Sequence, residues 1–485
     1  MDQFAERPGH LYIAGEWRRG GGATFIVNDP ADEVELATVA GAGVADLDDA
    51  LNAASAGLSI WRATDPWSRS AALREVARLV RDRAAMLAAT MTAEQGKPLA
   101  QAIGEVMSAA DQFDWCADEA RRIYGRVVEA RAASDRILIR REPVGVVAAF
   151  TPWNFPSLLP ARKMAAALAA GCSIIIKPSE ETPFSALHLA DACHDAGIPP
   201  GVLNVIVGDP PMISEHLIAH PAVRKVTLTG SVAVGRRLME LAARGLTAVS
   251  MELGGHAPVV VFDDVDVERA AVACAEAKFR NAGQVCISAT RFLVHEPIAA
   301  QFVEAFVART AALRLGRGSD PVSEVGPLTN ARRVDAVEQL VHDASDRGAT
   351  VLTGGRRSTR FTCGHWYEPT VLADVTGQME IMQTEPFGPI APITSFVDFD
   401  EAIALANATP YGLAGYVLTN DLARAMVTSE ALEVGMVGVN NFAIATAEVP
   451  FGGVKLSGFG REGGAEGVGD YTVTKYINMR LEPVR

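Results

Sequence analysis

Apolar residues recur at three- and four-residue steps through residues 67–94, where Leu73, Val76, Ala77, Val80, Ala84 and Leu87 share one face. That period predicts one amphipathic helix. A second helical run covers 99–124. Residues 125–141 change character: the segment ILIRR is short, β-branched and flanked by charge, as an exposed strand is. From residue 144 onward, short apolar strands alternate with helices. The strands fall at 144–150, 173–176, 202–207, 223–228 and 248–252, and the helices at 157–170, 183–196 and 234–243. Near-continuous apolar strands in that alternation predict a doubly wound parallel sheet. A second α/β alternation begins after Gly254-Gly255, with helices at 267–281, 299–313 and 332–347. The tail, 470–485, alternates like an edge strand.

Composition narrows the class. The 485 residues are 49% hydrophobic and 21% charged, which suits a soluble globular chain of about three domain-sized units. A net charge of −14 disfavours nucleic acid and anionic membranes as partners. No stretch approaches the ~18 uninterrupted apolar residues of a membrane span, and the first residues lack a signal-peptide core. Cys116, Cys172, Cys193, Cys274, Cys286 and Cys363 are scattered, with no CxxC pair and no metal-ligand spacing. Isolated cysteines in so long a chain predict reduced thiols in the cytoplasm and no metal.

Seven segments are candidates for chemistry. Asn281-Ala-Gly-Gln-Val-Cys286 looks like a tight turn that exposes a thiol, although a lone Cys is more often a buried hydrophobe. Glu252 ends an apolar strand before Gly254-Gly255, where open α/β sheets place ligands. In Thr151-Pro152-Trp153-Asn154, followed by Phe-Pro, two prolines fix the backbone around an amide that can donate to an oxyanion. Lys177 and Glu180 follow a strand and can hold ribose hydroxyls. Gly230, Ser231 and Gly235 lie between a strand and a helix; their spacing is neither GxGxxG nor a P-loop, but a helix N-terminus suits phosphate. Glu385-Pro-Phe387 and the glycine-rich run from Pro450 to Glu462 each read alone as loops.

Taken together and in this order, the seven segments resemble the aldehyde dehydrogenase superfamily over almost the whole chain. The separation of 34 positions from Glu252 to Cys286 also matches the family pattern. The resemblance implies an α/β fold with a Rossmann-like cofactor domain (1–124 and 142–252), a catalytic domain (253–465) and a small β oligomerisation element (125–141 and 466–485). It implies a homodimer or homotetramer, with pairing across subunits covering the exposed strand edges. It further implies Cys286 as nucleophile, Asn154 as oxyanion donor and Glu252 as the base that activates water. Thr151, Pro152, Trp153, Lys177, Glu180, Gly230, Ser231, Gly235, Leu253, Glu385 and Phe387 would bind the dinucleotide.

Two cations narrow the aldehyde. Arg162 and Arg280 occupy places where family members acting on apolar aldehydes carry aromatic residues. Two guanidinium groups beside the reacting carbon suit a carboxylate at the substrate's far end. This pattern is similar to the succinate semialdehyde dehydrogenases, where Thr446 would stand near that carboxylate. Other ω-carboxylate semialdehydes fit the same anchors. The rival reading is a broad-specificity or aromatic aldehyde dehydrogenase, with each Arg paired to a local acid. Ser288 stands where some relatives carry a second Cys, so a disulfide switch is absent. Glu180 would accept from a ribose 2′-hydroxyl and repel a 2′-phosphate, which favours NAD⁺; Lys177 leaves NADP⁺ open.

Overall fold

The computed structural model describes residues 9–481. The expected domain and tail segments at 1–8 and 482–485 lie outside the described residues, as does the start of the segment read for a signal peptide.

The first α/β alternation folds around an eight-stranded sheet. Its centre is parallel, in the order Ala248–Glu252, Val223–Thr229, Val146–Phe150, Ser173–Lys177, Leu203–Val205. Both edges are closed by antiparallel strands. Leu11–Ile13 pairs with Leu203–Val205, and Gly458–Phe459 pairs with Met251 and Glu252. The latter comes from the chain's last part, so the strand ending in Glu252 is held on both sides.

The central strands Val146–Phe150 and Ser173–Lys177 are buried along their full length, as their apolar runs require. Helix Leu158–Ala170 is buried at every residue. A helix buried all round has no solvent for a charge. Its Arg162 and Lys163 therefore need a partner or a cavity.

The second alternation builds a seven-stranded sheet around Ala289–His295 and Ala257–Val261. Its own core holds Phe292, Phe302 and Phe306 at zero exposure. The two sequence pieces read as edge strands pair with each other: Thr472–Arg480 runs antiparallel to Asp135–Pro143 over nine residue pairs, and Arg126–Val128 completes a three-stranded sheet. Among the described residues no helix is long and apolar enough to cross a membrane.

Two expectations are corrected, and three elements are added. The helix expected at 67–94 is two, Pro66–Asp82 and Ala84–Gln95, broken at Arg83 (φ −99°, ψ 10°). The apolar spacing continues through the break, so the pattern does not mark it. The helix expected to reach residue 281 stops at Phe279, because Asn281 and Ala282 have positive φ. Helix Val44–Trp61 and strands Thr24–Asn28 and Glu35–Ala40 were not read from the pattern.

Candidate active site

Cys286 follows three consecutive left-handed residues: Asn281 (φ 50°), Ala282 (φ 53°) and Gly283 (φ 72°). Such a backbone costs on the order of 1–3 kcal/mol at each non-glycine residue, so the surroundings must hold it. Gly283 is required here, since a Cβ would lie 2.2 Å from the Gly388 carbonyl oxygen. Buried amides supply the hold. Asn281 N–H donates to Gln101 Oε1 at 2.8 Å, and Gln95 Nε2 donates to Asn281 Oδ1 at 3.1 Å. Gln284 Oε1 accepts from the Thr329 N–H at 3.0 Å. The turn delivers Cys286 to the junction of two cavities, both of which it lines. Burial, with Glu385 and Glu252 nearby, pushes the thiol up to about 12, while Arg162 works against this.

The first cavity, about 420 Å³, lies at the carboxyl ends of the parallel strands. Pro152, Trp153, Asn154, Gly230, Ser231, Glu252, Leu253, Glu385 and Phe387 line it; of these the sequence reading gave Asn154 and Glu252 to catalysis and the others to the dinucleotide. Trp153 and Phe387 meet edge to face at 5.5 Å. Ser231 caps helix Val232–Arg244, whose N-terminus opens here.

Thr151, Lys177, Glu180 and Gly235 do not line this cavity. Thr151 N–H donates to the Lys177 carbonyl at 3.1 Å, and the Lys177 ammonium donates to Glu180 Oε2 at 2.6 Å. Gly235 passes so close to Leu253 that a Cβ would lie 2.7 Å from it.

The cavity suits a dinucleotide. The hydroxyls of Thr151 and Thr229 are buried with no hydrogen-bond partner, and Thr229 faces the cavity. Any Cβ at Gly254 would strike Glu385 Oε2 at 2.4 Å. Glu385 accepts from the Gly255 N–H at 3.1 Å, and burial lifts its carboxyl to about 7. Asn330, Arg332 and Arg333 also line the cavity; the sequence reading missed them, because charges opening a helix look solvated.

Glu252 and Asn154 flank Cys286. Glu252 is buried, and among the described residues neither of its oxygens has a hydrogen-bond partner. Burial, reinforced by Glu462, raises its carboxyl well above the ordinary range. Lys163, the second cation of the buried helix, is neutralised by Glu462 and donates to Thr227 Oγ1 at 3.1 Å. Asn154 Nδ2 donates one hydrogen to the Gln284 carbonyl at 3.1 Å, which leaves the other free.

The second cavity, about 310 Å³, is lined by Arg162 and Arg280 together with Phe155, Phe451, Val285 and Ile287. Arg162 is 3% exposed, and its guanidinium stacks 4.2 Å from the Phe451 ring centroid. Arg280 is exposed at the rim, 5.7 Å from the Phe155 centroid. Among the described residues neither forms an ion pair. A buried ion pair, Lys97–Glu105, also lines this cavity and was not singled out in the sequence.

Thr446 stands apart from the two arginines: it is exposed and lines a separate cleft that shares Ser108 and Ala445 with the Arg162 cavity. Its loop leaves the cavity after Ala445.

Comparisons with known proteins agree with this arrangement. The chain is 45% identical over 473 residues to the mitochondrial succinate-semialdehyde dehydrogenase of Rattus norvegicus, covering 97% of this chain and 90% of that one. It is 44% identical over 473 residues to a 3-sulfolactaldehyde dehydrogenase of Pseudomonas putida, covering 96% of each. A crystal structure of succinate-semialdehyde dehydrogenase from Burkholderia pseudomallei superposes with a TM-score of 0.96 at 43% identity, covering 98% of both chains. The model of the aldehyde dehydrogenase family matches residues 17–477. With a thiol, a buried carboxylate and an amide gathered between two cavities, the chain belongs to the aldehyde dehydrogenase family.

Proposed function

We propose that the protein oxidises a small aldehyde with an anionic far end, succinate semialdehyde foremost, to its acid with NAD(P)⁺. The carrying observation is a pair of guanidinium groups without acidic partners in the cavity that ends at Cys286. A cavity of about 310 Å³ with apolar walls suits a short chain between carboxylate and aldehyde.

Arg162 and Arg280 bind the anion and thereby orient the aldehyde carbon toward Cys286. The Cys286 thiol loses its proton and attacks as thiolate. Oxyanion charge collects on the free hydrogen of Asn154 Nδ2 and on the Cys286 backbone N–H, and one such donor is worth about 10²–10³ in rate. The dinucleotide, when bound in the first cavity, supplies the hydride acceptor. Glu252, once ionised, takes a proton from the water that hydrolyses the Cys286 thioester. That base argues against transfer of the acyl group to a thiol cosubstrate. The partly exposed Glu180, tied to Lys177, favours a free ribose hydroxyl and hence NAD⁺ over NADP⁺.

The three-stranded sheet supports a homodimer or homotetramer. Tyr476, 70% exposed, and Val128, 38% exposed, lie on one face of it, alongside Ile139 and Ile137, and give it an apolar surface that a second subunit would cover. Six free cysteines support a reducing compartment such as the cytoplasm.

The test is steady-state kinetics with succinate semialdehyde, butanal and benzaldehyde under NAD⁺ and NADP⁺. The semialdehyde is expected to lead in kcat/KM. Parity with butanal would remove the anion-binding role of the arginines.

A further inference from the structure

The carbonyl oxygen of Asn154 accepts two hydrogen bonds, from the Lys97 ammonium at 2.8 Å and from Asn281 Nδ2 at 3.0 Å. The same ammonium donates to Glu105 Oε2 at 2.5 Å. Glu105 Oε1 in turn accepts from the backbone N–H groups of Ser157 and Leu158, at 2.9 and 3.1 Å. Those groups open helix Leu158–Ala170, which carries Arg162 one turn later. A carboxylate at a helix N-terminus is well placed. Lys97 therefore joins two structures: the peptide of the oxyanion donor and the start of the helix bearing the substrate anchor.

Stability alone does not call for this pair. Lys97 is 2% exposed and Glu105 4%. Buried ion pairs are often replaced by apolar residues at no loss of stability, so their value lies in the geometry they fix. Met has nearly the length of Lys and would fill the same space against Phe155, whose ring centroid lies 4.3 Å from Lys97 Nζ.

We propose that Lys97 is a positioning residue for the reaction: by gripping the Asn154 carbonyl and the Glu105 carboxylate together, it fixes the oxyanion-binding amide relative to the helix that presents Arg162. This rests on the oxyanion role given to Asn154 above. Lys97 acts through Asn154 and touches neither reacting atom. A misplacement of about 1 Å at such a donor costs on the order of 10²-fold in rate.

The test is a double-mutant cycle on the full-length enzyme, read as the NADH burst rate with succinate semialdehyde and with butanal. Lys97→Met is expected to slow the burst about 10- to 100-fold for both aldehydes, with KM for the semialdehyde within about threefold. Lys97→Arg regains part of the rate. In an Asn154→Ala background, Lys97→Met slows the burst by less than about threefold, because the group it positions is gone. Glu105→Gln, which keeps an acceptor for the helix N-terminus, gives a second variant with a similar, smaller slowing. A full, multiplicative loss in both backgrounds overturns the inference while leaving Asn154 in its role. A loss confined to KM for the carboxylated aldehyde also overturns it, since Lys97 would then be a third anion contact. An undiminished burst in Asn154→Ala alone removes the oxyanion role and the inference with it.

Discussion

Arg162 stacks on Phe451 at 4.2 Å, and the aromatic face is the partner that holds this buried guanidinium in place of a carboxylate. A cation with its Nε unsatisfied and its charge uncompensated is poised for an anion that arrives from outside. Arg162→Ala should therefore weaken succinate semialdehyde by about 2–5 kcal/mol in kcat/KM and leave butanal nearly unchanged. Arg280→Ala should cost the same substrate less, because water reaches Arg280. Steady-state kinetics on both aldehydes reads this directly, and equal losses on butanal would make both arginines structural.

Glu252 has no hydrogen-bond partner in its pocket, so its charged form gains nothing from the protein except distant cations. The sign follows: a carboxyl raised in the folded enzyme stays protonated above the usual range, and base is generated only as pH rises through that higher value. Turnover should fall on the acid side at a pH above the ~4.3 of a free glutamate. Glu252→Gln should still release a stoichiometric burst of NADH, then stall at the thioester and lose the acid limb. Rapid-quench detection of the acyl-enzyme across pH checks both points.

The Lys177–Glu180 contact at 2.6 Å is what supports the proposed preference for NAD⁺. Glu180→Gln removes the charge that repels a 2′-phosphate and frees Lys177 to meet it. The NADP⁺/NAD⁺ ratio of kcat/KM should rise about tenfold or more. An unchanged ratio would place cofactor selection elsewhere.

Thr446 faces the cleft beside Asp111 and Asp114, outside the cavity of Arg162 and Arg280. Thr446→Ala should change kcat/KM for succinate semialdehyde by less than about threefold. A larger, substrate-selective loss would return the hydroxyl to the substrate.

Tyr476 and Val128 leave one face of the three-stranded sheet apolar. A Tyr476→Glu, Val128→Glu enzyme should sediment as a smaller species than the parent. An unchanged mass in analytical ultracentrifugation would place the contact between subunits on another surface.

What could be read from the sequence divides along physical lines. Cys286, Glu252 and Asn154 sit in local motifs whose glycines and prolines shape a turn, so order along the chain was enough to group them. Arg162 was legible through the family resemblance, because relatives acting on apolar aldehydes carry an aromatic residue at its place. Lys97 and Glu105 were not. Lys, Gln and Glu across 95–105 read as a solvated face, and only tertiary packing turns that face inward. The break at Arg83 was silent for a related reason: the apolar spacing is conserved across it, and the kink lies in one residue's φ and ψ. The place of Thr446 beside rather than within the Arg162 cavity was not legible, because a loop's direction depends on what it packs against.

The short strand Gly458–Phe459, laid against Met251 and Glu252, has a consequence for how the enzyme comes into being. The stretch that buttresses the carboxylate is synthesised some two hundred residues after it. A chain still emerging from the ribosome lacks that edge strand, so the strand ending in Glu252 is flanked on one side only until the polypeptide is nearly complete.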